Sequence, residues 1–71
     1  MITIAQISQR LISEIKSSGM SQHELATKLG ISQPTVSQYL SGKVMPSLET
    51  FANLCKILDV DPSYILGITN E

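Results

Sequence analysis

Apolar residues recur at steps of three and four along most of the chain. Ile4, Ile7, Leu11 and Ile15 make the first such series and predict one face of a helix. Thr3-x-x-Gln6 ahead of it has capping-box form, and Gly19 stands where a helix-ending glycine would. Leu25, Ala26 and Leu29 mark the buried side of a second, shorter helix. It is opened by a second capping box, Ser21-x-x-Glu24, and ended by Gly30. A third helix starts at Ser32 as N-cap and stops at Gly42, with Val36, Tyr39 and Leu40 as its apolar face. Pro34 is tolerated in its first turn, because those N–H groups have no helical partner. Val44-Met45-Pro46 reads as a connector. Ser47 then caps a fourth helix with Leu48, Phe51, Leu54, Cys55 and Leu58 on one side. Asp61-Pro62 opens a short fifth helix with Tyr64, Ile65 and Leu66, closed by Gly67. No stretch keeps a period of two, and no segment repeats. The expected fold is all-α: one compact five-helix domain over residues 1–71.

Only Gly30-Ile31-Ser32 separates the second and third helices. A three-residue link with a glycine forces a sharp angle, which is the helix-turn-helix arrangement over residues 22–41. Ala26 sits where the two helices would cross, and a larger side chain there would push them apart. Gly30 sits where the turn needs positive φ. Leu25, Ile31, Val36 and Tyr39 are apolar at the positions that would plug this angle into a core.

Composition narrows the function classes. The chain has 71 residues, of which 42% are hydrophobic and 15% charged. That suffices for a core, yet a domain of this size buries only about 60% of its unfolded surface. It leaves no room for the common large enzyme architectures. No apolar run approaches the ~20 residues of a membrane span. Met1–Ile7 lacks the basic and long apolar regions of a signal peptide. The single cysteine, Cys55, allows neither an internal disulfide nor a CxxC metal site, so the expected compartment is the cytoplasm. With one histidine, His23, read as a surface residue, no metal and no cofactor is expected. Cys55 reads as a small core residue.

Net charge is −1. Its distribution is uneven. Arg10, Lys16, Lys28, Lys43 and Lys56 all precede residue 59, while Asp59, Asp61 and Glu71 follow in the C-terminal stretch. Any anion-binding surface therefore lies before that stretch. Arg10 and Glu14 stand four apart and predict a surface ion pair.

The sequence resembles the helix-turn-helix domains of the lambda-repressor and Cro type, also called the xenobiotic-response-element family. The resemblance is carried by Arg10-Leu11, by Gly19 through Ala26, by Leu29 through Ser37, by Gly42-Lys43, by Pro46-Ser47-Leu48, and by Leu58, Val60, Asp61 and Leu66. It spans about residues 7–68, nearly the whole chain. It implies sequence-specific binding of double-stranded DNA, usually as a dimer, in transcriptional regulation and most often repression. It also implies a bacterial or phage-encoded protein associated with the nucleoid.

At 100° per residue, Pro34, Gln38 and Ser41 point away from the apolar side of the third helix. Gln33 and Ser37 lie on one flank and Thr35 on the other. A glutamine amide can pair with adenine N6 and N7 in the major groove. By resemblance, Gln33, Pro34 and Gln38 fall on base-facing positions, with Ser37 and Thr35 as further candidates. Many relatives carry a polar residue where Pro34 stands, and proline offers only apolar contact, as to a thymine methyl. Helix starts present N–H groups to phosphate. Ser21 and Gln22 at the second helix, with Ser41, Lys43 and Ser47 around the third and fourth, are the phosphate candidates. Many relatives also place a glutamate where Leu40 stands, facing a basic residue on the first helix. Here an apolar contact of Leu40 with Ile15 is expected instead.

Ile65, Leu66 and Ile68 close the chain with more apolar surface than a core needs. They are the expected homodimer interface, each subunit reading one half of a palindromic operator about 34 Å from the other. Too few residues follow the fifth helix for an effector domain, so the chain is either a minimal regulator or an N-terminal domain. A competing class is a protein-interaction module on the same fold, such as an antitoxin or anti-repressor that works mainly by docking a partner. An interaction surface should show aromatic or aliphatic anchors on the third helix. An enzyme is disfavoured, since no paired carboxylates, nucleophile motif or phosphate loop occurs.

Overall fold

The structure, a computed structural model, describes residues 1–68. Glu71, counted above among the acidic C-terminal residues, lies outside them. Five helices follow in order: α1 (Ile4–Ser17), α2 (Gln22–Leu29), α3 (Gln33–Ser41), α4 (Leu48–Leu58) and α5 (Pro62–Leu66). Each opens on the side chain named by its sequence. Thr3 and Gln6 form a full, reciprocal capping box on α1. On α2 only half of the expected box forms: the Ser21 hydroxyl accepts the Glu24 N–H at 3.0 Å. Glu24 remains in the first turn, where its charge meets the positive end of the helix dipole. Ser32, Ser47 and Asp61 cap α3, α4 and α5 in the same way.

The turn between α2 and α3 is set by Gly30, which takes φ 70, a left-handed conformation that costs glycine little. The Ile31 N–H then returns to the Ala26 carbonyl at 3.0 Å. The end of α4 carried no glycine signal. It is closed by Asp59 in the left-handed region, φ 55, and the Val60 N–H reaches the Cys55 carbonyl. Aspartate tolerates that region better than most residues.

The core draws on every helix. Leu11 and Ile15 of α1 meet Leu25 and Ala26 of α2, Val36 of α3, Leu54 of α4 and Ile65 of α5. Leu40 packs against this cluster, as expected of an apolar residue in place of a charge. Leu58, Phe51, Ile31 and Leu29 lie half-buried around it.

Three expectations fail at the edges of the pattern. Ile4 and Leu48 carry the helical spacing but are exposed, Leu48 at 86%. Each is the first residue of its helix, one turn short of the packed body. Ile65 is fully buried in the core, so it is not free for a dimer contact. Arg10 bonds where the spacing predicts no partner: instead of a surface pair with Glu14, its Nε donates to the Ile65 carbonyl at 3.0 Å.

Candidate nucleic-acid interface

The outer arc of α3 carries Gln33, Pro34, Ser37, Gln38 and Ser41, all exposed. Its inner side carries Val36 and Tyr39, both buried, and the half-buried Leu40. The nine residues of α3 include no charged side chain. The N-terminus of α2 meets this arc. Gln22, Gln33, Pro34 and Ser37 line one shallow depression, so the start of α2 and the first turns of α3 present one continuous surface.

The hydroxyls around that surface are unequal. Ser32 and Thr35 bond each other through their hydroxyls at 2.7 Å, and the Thr35 N–H also donates to Ser32 at 3.3 Å. Thr35 is half-buried and serves the start of α3; it does not stand on the outer arc. The Ser41 hydroxyl donates to the Gln38 carbonyl at 2.9 Å and accepts the Lys43 N–H at 3.3 Å. These two hydrogen bonds, one on each side of Gly42, hold the loop that presents Lys43, whose side chain is exposed. Ser47 repeats the pattern of Ser32, accepting the Thr50 N–H at 3.2 Å and donating to the Thr50 hydroxyl at 3.1 Å. The Ser-x-x-Thr spacing at 32–35 and 47–50 is legible in the sequence as a pair of double caps; the cap role of both serines follows from it, and the part of Thr50 is the addition.

The cations spread out. Lys28 and Lys56 line a different depression, with Leu29, Asn53 and Ile57. Lys16 lines another on α1, with Gln9, Ile12 and Ser13. Of the five basic residues, only Lys43 adjoins the α3 arc in sequence.

Two short helices, α2 and α3, packed on each other and joined by the three-residue turn at Gly30, with a polar outer arc on the second of them, make the arrangement of a helix-turn-helix. A helix-turn-helix family model matches residues 11–65. The chain belongs to the lambda-repressor and Cro type of helix-turn-helix domain. That family consists of DNA-binding transcriptional regulators and is not an enzyme class. This helix-turn-helix domain is 39% identical over 57 residues to YqaE of Bacillus subtilis, an uncharacterised HTH-type transcriptional regulator, covering 79% of this chain and 49% of that protein. The chain spans about half the length of the curated relatives it matches.

The fold matches solved regulators as well. The SOS-response transcriptional repressor LexA of Eubacterium rectale superposes with a TM-score of 0.78 at 25% identity, over 89% of this chain and 67% of that one. The restriction-modification controller protein C.AhdI of Aeromonas hydrophila gives 0.72 at 27% identity, over 87% of this chain and 90% of that one. Among the described residues no helix is long and apolar enough to cross a membrane, and no cluster of three metal-ligating side chains forms.

Proposed function

We propose that this helix-turn-helix domain represses transcription by binding a palindromic operator in double-stranded DNA as a homodimer, with α3 in the major groove. The observation that carries the reading is the outer arc of α3. It is exposed, polar and uncharged, and it is continuous with the N-terminus of α2 through Gln22. A helix inserted in the major groove needs side chains that bond base edges, and an adjacent helix start whose N–H groups face phosphate. Gln33, Pro34, Ser37 and Gln38 supply the first; Ser21, Gln22, Ser41, Lys43 and Ser47 surround the second. Thr35 acts by holding the first turn of α3. Repression is the activity named for the LexA neighbour, and it is carried over to this chain as part of the proposal.

The dimer contact falls on the exposed side of α5 and on Ile68, just past its Gly67 cap. Ile68 is 62% exposed and Tyr64 47%, with Leu66 half-buried between them. An exposed apolar strip of this kind on a small domain favours association. The protein-docking alternative would need aliphatic or aromatic anchors on the α3 arc, and that arc carries glutamines, serines and one proline.

Selection from a randomised duplex pool tests the reading. Enrichment of a palindromic site, abolished in the Gln33→Ala/Gln38→Ala double variant, is the expected result. Retention of no duplex at low salt would reject it in favour of protein docking.

A further inference from the structure

We infer that the half-site under α3 has an A·T core, and that the domain rejects G·C at the base pairs faced by Gln33 and Gln38. The inference rests on the major-groove reading proposed above and names the class of base pair that reading requires.

The argument is one of matching groups. Guanine presents two acceptors, N7 and O6, in the major groove, and Arg or Lys reads them best. Cytosine presents a donor, N4, which Asp or Glu reads. The whole of α3 carries none of these four residues. Adenine presents one acceptor and one donor side by side, the complement of a glutamine amide. A guanine in that place would set its O6 against the amide oxygen and leave that oxygen without a donor. The thymine methyl takes apolar contact, and Pro34, exposed in the first turn beside Gln33, offers a ring for it.

Hydroxyls could blur this choice, because Ser and Thr read either class. Here most of them are occupied. Ser32 and Thr35 bond each other, and Ser41 donates to the Gln38 carbonyl. The adaptable hydroxyl left on the outer arc is that of Ser37. Selectivity therefore falls to the two amides and the proline. Gln38 lies five positions along α3 from Gln33, about 7.5 Å of helix rise at ~1.5 Å per residue. That is about two base-pair steps of 3.4 Å, so the amides address a block of roughly three base pairs.

The experiment starts from the enriched duplex. Each A·T pair of the central block of the half-site is replaced in turn by G·C, and dissociation constants are measured by fluorescence anisotropy. Loss of about 5- to 150-fold at two positions is expected, the range of a good bidentate pair. Deoxyuridine in place of thymine, which removes only the methyl, should weaken binding of the native protein and leave the Pro34→Gly variant indifferent. Gln33→Arg should shift the preferred base at one position to guanine; its melting temperature shows that it folds. An enriched site with a G·C block under α3, or duplex binding without base preference, overturns the inference while leaving DNA binding intact. Failure to bind any duplex removes both.

Discussion

The guanidinium of Arg10 on α1 donates to the carbonyl of Ile65 on α5 at 3.0 Å, across 55 positions of sequence. That carbonyl lies in the last turn of a five-residue helix, where no intrahelical donor reaches it. The bond therefore fastens the C-terminal end of the fold to its first helix. Arg10→Met keeps most of the apolar stem and removes the donor. Arg10 is half-buried, so the expected loss is moderate, about 1–2 kcal/mol. Thermal melting reads it as a fall of several degrees in a domain of this size. An unchanged melting temperature would show that water replaces the guanidinium at no cost.

The same clamp explains Gly67. Its φ is +79, and a Cβ there would overlap the Arg10 guanidinium. Gly67→Ala should destabilise on both counts. Only the overlap depends on Arg10, so the substitution should cost less in an Arg10→Ala background than in the native chain. A double-mutant cycle by chemical denaturation measures that coupling, expected at about 0.5 kcal/mol or more. Simple additivity would mean the guanidinium moves aside freely.

Most of the fold was legible because local signals and packing agree. Ser32, Ser47 and Asp61 cap where their spacing predicts, and Leu11, Leu25, Val36 and Leu54 are buried as their periodicity requires. The failures of burial share one cause. Periodicity assigns a residue to a face, but only the partner helix decides how far along that face burial extends. Leu48 lies beyond the reach of its partners, and Ile65 is covered by more of them than a terminal helix suggests. Arg10 was out of reach for another reason: its acceptor is a backbone carbonyl, which no side-chain pattern announces. For the interface, residue type and helical angle were sufficient to place Gln33, Pro34, Ser37 and Gln38 outside. The engagement of Thr35 and Ser41 within the protein follows from side-chain rotamers that the residue pattern does not fix.

Ile65 and Ile68 separate packing from association. Ile65→Ala opens a cavity in the core and should cost about 2–5 kcal/mol. Ile68→Ser touches an exposed residue and should leave the melting temperature within a few degrees while weakening the proposed homodimer. Sedimentation equilibrium on both variants distinguishes the two effects. A dimer as stable in Ile68→Ser as in the native chain would move the interface elsewhere.

Cys55 gives an alkaline signature. Burial, and secondarily the Asp61 carboxylate, push its thiol above the ordinary value of 9.0. The folded chain therefore keeps its proton where the unfolded chain has begun to release it. The thiol's contribution is fully present below about pH 9 and is lost as pH rises through the folded value. Cys55→Ala removes this dependence. The stability difference between native and variant, measured by urea denaturation, should be flat from pH 7 to about 8.5 and shift against the native chain above about 9. A flat difference up to pH 10.5 would mean that the thiol ionises as easily in the fold as in the unfolded chain.

Salt dependence tests how the proposed interface holds phosphate. Each neutralised phosphate adds about 0.9 to the slope of log K against log salt. The α3 arc is uncharged, Lys28 and Lys56 line a different depression, and only Lys43 adjoins the arc in sequence. One cation per protomer gives a slope of about −2 for a dimer. Neutral donors, the N–H groups at the start of α2 and the hydroxyl of Ser21, which only accepts within the fold, would supply the remaining backbone contacts without releasing counterions in the same measure. Lys43→Gln should flatten the slope to near zero and weaken all sequences alike, since phosphate contacts carry no base preference. Gln33→Ala should do the reverse, lowering affinity for the selected site at an unchanged slope. A native slope near −5 would place Lys28 and Lys56 against DNA as well and redraw the interface around them.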